Sequence, residues 1–228
     1  ESTRQYGIDI FMSLSAVLGG FKICQSGLGT KIHKASAPKL GIMFEQVIET
    51  LLTVLVQNKD AWMTGNNGDI FVPDTFGLKD LAEPQELDIN ILDLKEKGQT
   101  EYSKYQTDIK ELLEPYAFSR VHEMFEVEVF DLTILLWTQI FYSLVYRYDI
   151  STSSEDRKKI INSLKPLYFA RSLSFNYHTW KYNVKYSEME IRKSALGFAS
   201  QKYYLWGLYS KGNKLGPEKT KKTRSGKQ

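Results

Sequence analysis

Residues 6–33 read YGIDIFMSLSAVLGGFKICQSGLGTKIH, and this stretch decides how the start of the chain folds. Apolar residues recur at spacings of three and four up to a Gly-Gly pair, which predicts a short helix from Ile8 to Gly20. The residues from Phe21 to Gln25 then alternate apolar and polar, as a half-buried strand does. The stretch from Leu28 to His33 continues in an extended form. A helix with a returning strand is an α/β fragment, and it is too small to form a sheet domain alone.

Two side chains of this stretch are candidates for chemistry. Asp9 lies at the start of the predicted helix, and His33 lies where the second extended segment leaves the sheet. Their separation in sequence fits a helix plus a return strand, so we expect both at the same sheet edge. A neutral imidazole there can ligate a divalent cation, but one ligand cannot hold a metal, so carboxylates must come from elsewhere. The alternative for Asp9 is a first-turn acid that the helix dipole favours.

The other histidines and the single cysteine have simpler interpretations. His122 lies on a predicted helix where it can form a surface pair with Glu126, and His178 is expected to pack between helices. Cys24 is the only cysteine, which excludes an internal disulfide, and its mid-strand position favours packing over nucleophilic chemistry. The chain contains no P-loop, GxGxxG, HExxH, CxxC or GxSxG motif.

Composition and charge indicate a globular chain with a basic end. The 228 residues are 42% hydrophobic and 25% charged. Residues 211–228 hold seven Lys or Arg and one Glu, a net charge of +6, whereas the whole chain carries +3, so the remainder is at −3. We expect this tail to be a disordered, solvated terminus, with contact to nucleic acid or an anionic surface as the alternative. No apolar run reaches the roughly 18 residues of a membrane span, and a lone cysteine suits the cytoplasm.

Beyond the opening stretch the sequence predicts a helical scaffold. Residues 41–62 carry one wide apolar stripe and predict a strong helix. Residues 63–99 are rich in Gly, Pro and Asn, which predicts a loop-rich junction with a domain boundary near Trp62. Residues 100–210 predict a helical domain, followed by the basic tail at 211–228.

The helical domain divides into four predicted segments. The first two cover residues 100–113 and 119–148. Ser151 or Ser153 is the predicted cap of the third, which Pro166 breaks or kinks. Ser187, with a Glu three residues later, is the predicted cap of the last helix.

Three short runs in the opening stretch resemble family 2-like glycosyltransferases of the GT-A fold, the mannosylglycerate and glucosyl-3-phosphoglycerate synthases among them. The runs are YGIDIFM at 6–12, ICQ at 23–25 and LGTKIHK at 28–34. In this family the catalytic domain ends with a G-[VI]-[DE]-[IL] helix, a strand and a K/R-x-H segment. The runs LKPLYFAR at 164–171 and SF at 174–175 resemble, less specifically, the helical tail of the same group.

The resemblance implies a retaining transfer of a sugar from a nucleotide-sugar donor. It implies a divalent cation, Mg²⁺ or Mn²⁺, held by a D-x-D motif and by His33, and it implies that Asp9 contacts the transferred sugar. Residues 35–43 would border the site of a small carboxylate acceptor such as glycerate or phosphoglycerate. The further substrate-binding positions that it implies are Tyr6, Gly7, Lys31 and Met43.

The nucleotide-binding half of such an enzyme and its D-x-D motif are not found in these 228 residues. We therefore expect residues 1–62 to be the C-terminal part of a GT-A catalytic domain, with the other half in the same or a separate polypeptide. The expected fold class is mostly α, with a small α/β remnant followed by a helical C-terminal domain that forms a homo-oligomer. No nucleic-acid partner is expected. The alternative is a non-catalytic helical interaction or oligomerisation module derived from such an enzyme.

Overall fold

The structure is a computed structural model that describes residues 5–27, 40–64, 74–77 and 90–212. Of these residues, 80% are helical and 4% lie in strands. The chain is therefore mostly α with a small α/β part, as the sequence predicts. None of the helices in these four ranges combines the length and the apolar character needed to cross a lipid bilayer.

The N-terminal elements are short, apart from one helix. In chain order they are α1 (Ile8–Leu18), β1 (Cys24–Gly27), α2 (Leu40–Gln57), α3 (Lys59–Thr64) and β2 (Asp74–Gly77). The two strands pair in parallel, with Cys24 opposite Asp74 and Gly27 opposite Gly77. The Gly-Gly pair ends α1 as predicted: the Gly19 N–H donates to the Ser15 carbonyl at 2.9 Å.

The C-terminal elements are all helices. They are α4 (Ile91–Leu112), α5 (Pro115–Glu126), α6 (Ile134–Ile150), α7 (Ser154–Thr179), α8 (Val184–Ser200) and α9 (Lys202–Gly212). Side chains cap four of these helices at the N-terminus: Asn90, Thr133, Ser153 and Asn183. Each accepts a hydrogen bond from a backbone N–H of the first turn, which has no partner within the helix. The predicted cap at Ser153 is thereby confirmed.

Two predicted helix limits in this region are wrong. α4 is capped by Asn90 and begins at Ile91. Residues 91–99 of the predicted loop-rich junction are therefore helical. The predicted helix over 119–148 is two helices, separated by residues 127–133. In that connection Phe130 and Leu132 are buried while the residues on either side of each are exposed, which is a period of two and not a helical period. We call residues 127–133 the α5–α6 strap.

Pro166 does not break α7, although it removes one backbone donor from the helix. The residues around it explain why, since Leu164 and Leu167 are 1% and 0% exposed and hold this turn of the helix in the core. The last predicted helix is divided into α8 and α9, and α8 starts three residues before Ser187. Its cap is Asn183, whose carboxamide oxygen accepts from the Tyr186 N–H at 3.1 Å.

The predicted helix over 41–62 is also divided, into α2 and α3. At the break the Val54 carbonyl accepts twice from Asn58, from its backbone N–H at 3.2 Å and from its side-chain amide at 2.8 Å, and such a local side-chain bond competes with the helical hydrogen-bond pattern.

One hydrophobic core joins α2 to the C-terminal helices. The fully buried Leu52 of α2 belongs to the same cluster as Ile109, Leu144 and Leu167, and Phe44 and Ile48 pack against that cluster. The boundary predicted near Trp62 therefore does not separate two cores among the described helices. The central pair is α4 and α7, which lie side by side over much of their length. Parts of the junction (65–73 and 78–89) and the tail from 213 lie outside the described residues.

Candidate functional site

The N-terminal end of α1 is held against α2 by hydrogen bonds. The Tyr6 backbone N–H donates to the Gln46 side-chain oxygen at 3.1 Å, and the Gln46 amide nitrogen also donates to the side chain of Gln5. Met43 lies one helical turn before Gln46 on α2 and is half-buried. Of the predicted substrate-binding positions, Tyr6 is therefore tied to α2 one helical turn from Met43.

Asp9 projects from the first turn of α1 and is exposed. Its carboxylate has no hydrogen-bond or ion-pair partner among the described residues. Its backbone carbonyl accepts from the Ser13 hydroxyl at 2.9 Å. Gly7, the predicted substrate-binding residue two positions earlier, is the N-cap of α1 and is buried. Without a side-chain cap, the first N–H groups of α1 favour a negative charge nearby. An exposed carboxylate at this point can hydrogen-bond hydroxyl groups of a polar ligand.

The remaining candidate residues lie in β1 or follow it in the sequence. β1 ends at Gly27, and the segment that carries Lys31 and His33 lies outside the described residues. Cys24 opens β1 and is exposed, so the predicted packing role for its thiol is wrong. Three of the four residues of β1 are exposed in the structure.

The described residues near Asp9 offer few ligands for a divalent cation. The described residues hold no group of three or more His, Cys, Asp or Glu side chains that could bind a metal ion. Asp9 is the predicted site residue with a carboxylate in the described part, and one carboxylate is too few ligands for Mg²⁺. A cation near Asp9 would therefore need His33 and further donors from beyond these ranges.

His122 has a structural environment. Its Nδ1 atom lies 3.0 Å from the Tyr102 hydroxyl and 3.9 Å from a Glu126 carboxylate oxygen, so the predicted neighbourhood of Glu126 is confirmed. The Tyr102 ring stacks on Phe125 with centroids 4.0 Å apart. Burial, and then the nearby Glu126 charge, raise the pKa of Tyr102 to about 12. This group joins α4 to α5.

His178 does not pack between helices as predicted. Its Nε2 atom lies 3.2 Å from an Asp131 carboxylate oxygen, and both side chains are more than half exposed. It lies in the last turn of α7, next to the buried Thr179 but itself exposed. An exposed histidine and carboxylate of this kind contribute little to stability.

The sequence did not single out the anchor between α7 and the α5–α6 strap. The Leu132 N–H donates to the Ser174 hydroxyl at 2.8 Å, and an Arg171 nitrogen donates to the Leu132 carbonyl at 3.1 Å. Arg171 also donates to the Ser194 hydroxyl on α8 at 3.2 Å, and burial lowers the pKa of its guanidinium. Arg171 and Ser174 both lie in the runs that resemble the helical tail of the glycosyltransferases. In this structure they hold the backbone of the α5–α6 strap in position.

A second unpredicted cluster holds α3 and α9 to α6. Lys59 forms an ion pair with Asp149 at 2.8 Å, and its ammonium lies 4.7 Å from the centre of the Tyr209 ring. Trp62 packs against the same ring at 6.2 Å. An apolar cavity of about 150 Å³ lies beside it, lined by Leu55, Trp62, Phe141, Tyr142, Val145, Lys202 and Leu205.

The described surface also carries large apolar side chains where α7 meets α8. Trp180 is 69% exposed, Tyr182 is 59% exposed and Val184 is 49% exposed. α8 has no fully buried residue along its length. Comparisons with known proteins give no relative for any part of this arrangement: no family model, no curated protein and no solved structure matches the chain.

Proposed function

We propose that this chain is the C-terminal part of a metal-dependent, retaining glycosyltransferase that moves a sugar from a nucleotide-sugar donor to a small carboxylate acceptor. The proposal rests on the resemblance of residues 6–34 to GT-A enzymes. One geometric observation supports it: the Asp9 carboxylate, in the first turn of α1, is exposed and has no partner among the described residues. This turn is anchored to α2 close to Met43.

The proposed roles follow from the chemistry of each residue. Asp9 accepts hydrogen bonds from hydroxyl groups of the transferred sugar and orients it. The backbone of Tyr6 and Gly7 lines the proposed site beside Asp9, and Met43 offers an apolar contact on the acceptor side. Lys31 supplies a positive charge for phosphate or carboxylate groups.

His33 is the proposed protein ligand of the cation in this part of the enzyme. When bound, Mg²⁺ or Mn²⁺ stabilises the negative charge of the leaving diphosphate. The helical bundle supports the proposed site, because α2 extends from the shared core to the turn that carries Tyr6. A site supported by a packed helix is held more rigidly than one on loops alone.

The experiment is to express the chain together with the coding sequence upstream of Glu1 and to measure nucleotide-sugar turnover with Mg²⁺ or Mn²⁺. We expect transfer to a small carboxylate acceptor. Asp9→Asn should lower kcat on the order of a hundredfold, because the sugar loses an oriented charged contact. His33→Ala should raise the metal concentration needed for half-maximal activity by at least about tenfold.

Matched controls separate these effects from damage to the fold. Glu155 is another exposed first-turn acid, at the start of α7, and Glu155→Gln should leave turnover unchanged. His178→Ala removes an exposed histidine far along the chain and should not alter the metal requirement. An upstream sequence without a D-x-D-bearing domain, or full activity in His33→Ala, would refute the assignment.

The second candidate function is a helical interaction module without catalysis. The observation that favours it is the exposed apolar surface at the start of α8, where Trp180 and Tyr182 contact solvent. A metal titration of the extended protein distinguishes the two functions. Binding that His33→Ala removes supports the transferase. Absence of metal binding, together with self-association that Trp180→Ser disrupts, supports the module.

A further inference from the structure

The turn between α7 and α8 presents aromatic rings and basic groups together. We call residues 177–185 the α7–α8 corner. Within it Tyr177, Trp180, Tyr182 and Val184 are 45%, 69%, 59% and 49% exposed. The Lys181 ammonium lies 5.1 Å from the centre of the Trp180 ring. This corner is therefore both apolar and cationic, and so large an exposed apolar group requires an explanation.

The outer face of α8 continues the same chemistry. Lys185, Met189, Arg192 and Leu196 follow one another at spacings of four, three and four residues, so they form one stripe along the helix. All four are exposed. The opposite face packs on the bundle, where a Cβ atom at Gly197 would collide with an Ile134 side chain of α6. Basic and apolar side chains thus alternate along a surface that points away from the core.

The charge of this surface is positive. Residues 177–203 hold five Lys or Arg and two Glu, a net charge of +3, in a chain whose part before residue 211 is acidic overall. Among the described residues, Lys181, Lys185 and Arg192 have no carboxylate within 4.0 Å. Glu190 is occupied by Lys193 at 2.6 Å, which leaves Glu188 as the acid beside the stripe.

This combination fits the interfacial region of a lipid bilayer. Indole and phenol rings favour the level of the headgroups, where one part of each ring is apolar and another is wet. Lys and Arg side chains reach outward to anionic headgroups from the same depth. A second copy of the chain fits less well, because a two-fold interface would bring this cationic stripe against its own image.

We propose that the α7–α8 corner and the outer stripe of α8 dock on an anionic membrane surface, with Trp180 inserted at headgroup depth. The bundle then lies on the membrane without crossing it. This inference is independent of the transferase proposal, since none of its residues belongs to the proposed site.

The test uses the full chain and vesicles of phosphatidylcholine, with or without phosphatidylserine. Sedimentation measures binding, and quenching of tryptophan fluorescence by brominated lipids measures insertion. We expect binding to the phosphatidylserine vesicles, with a quenched component that is absent from Trp180→Phe. Because residues 211–228 are themselves basic, sedimentation alone is not sufficient. Sedimentation without quenching of Trp180 would show that another part of the chain, such as the basic tail, binds, and would overturn the proposal.

Charge variants supply an independent measurement. Lys181→Glu and Lys185→Glu should each weaken binding by about fivefold or more. Tyr116→Ser, which changes a ring on α5 that is 71% exposed, is the matched control and should bind as the wild type does. Equal loss in Tyr116→Ser would overturn the assignment to this corner. So would self-association that Trp180→Phe abolishes, since a second copy would then be the occupant. Loss of binding in the upstream-extended chain would also overturn it, because protein would then cover the corner.

Discussion

Replacement of Ser174 by alanine tests the reasoning about the anchor on α7. The Ser174 hydroxyl donates to the Ala170 carbonyl at 2.8 Å and accepts from the Leu132 N–H at 2.8 Å. Ser174 and Leu132 are both 0% exposed. The alanine variant therefore leaves a backbone N–H of the α5–α6 strap without a partner in a place that solvent does not reach.

The expected loss follows from two opposing terms. A buried donor without a partner costs about 1–3 kcal/mol. The higher helix propensity of alanine returns on the order of 0.5 kcal/mol. The free energy of unfolding should thus fall by about 0.5–2.5 kcal/mol, and we expect Tm to fall by roughly 2–4 °C for each kcal/mol in a chain of this size.

Ser163 on the same helix provides the matched control. It is also 0% exposed, but within the described part of the chain its hydroxyl has no hydrogen-bond partner. Ser163→Ala removes an unsatisfied polar atom and should leave the protein equally stable or more stable. The assay is urea unfolding followed by far-ultraviolet circular dichroism, with the slope compared between variants. If Ser174→Ala loses no more stability than Ser163→Ala, the hydrogen bond between Ser174 and the strap does not stabilise the fold.

Three further predictions concern α8, α9 and the core. Gly197→Ala should lower the free energy of unfolding by about 1–3 kcal/mol because the added methyl group collides with α6. Gly207→Ala places its methyl group in open space and should raise the free energy of unfolding by about 0.5–1 kcal/mol. A higher Tm for Gly197→Ala than for Gly207→Ala would contradict this. Asn183→Ala removes the N-cap of α8 and should lower the free energy of unfolding by about 1 kcal/mol. Ser187→Ala should change it by no more than about 0.5 kcal/mol. Equal urea midpoints for the two variants would show that Asn183 does not cap α8. Burial raises the pKa of Tyr142 from 10.0 to about 12. Between those pH values the unfolded chain has released this proton and the folded chain has kept it, so stability should fall as pH rises, and Tyr142→Phe should reduce that fall.

The helices that the sequence predicts well are those with a continuous stripe and a local stop. α1 ends at its Gly-Gly pair and α7 starts directly after its cap Ser153, because both signals lie within one turn of the helix end that they determine. α2 has a wide apolar stripe, and it is a long helix in the structure.

The errors arise where a tertiary contact decides. The strap between α5 and α6 leaves the helical path at Glu128, whose φ is +56°, and beyond it Phe130 and Leu132 enter the core while α7 satisfies the Leu132 backbone. Its alternation of buried and exposed residues is present in the sequence, but the flanking helical periods conceal it. Pro166 stays within α7 because the burial of its neighbours outweighs the lost hydrogen bond. The position of α2 in the shared core could not be predicted either, since periodicity shows which face is buried but not which element covers it.

The two runs that resemble glycosyltransferases differ in what they can support. In the run at 164–175 the matching side chains are mostly buried, and Arg171 and Ser174 hold the strap. A likeness there concerns packing, and packing does not imply a reaction. In the run at 6–34 the acid Asp9 is exposed and has no partner in the described part of the chain, so the fold gains little from it. A change at Asp9 should therefore leave stability intact and alter the proposed chemistry, whereas a change at Ser174 should do the reverse.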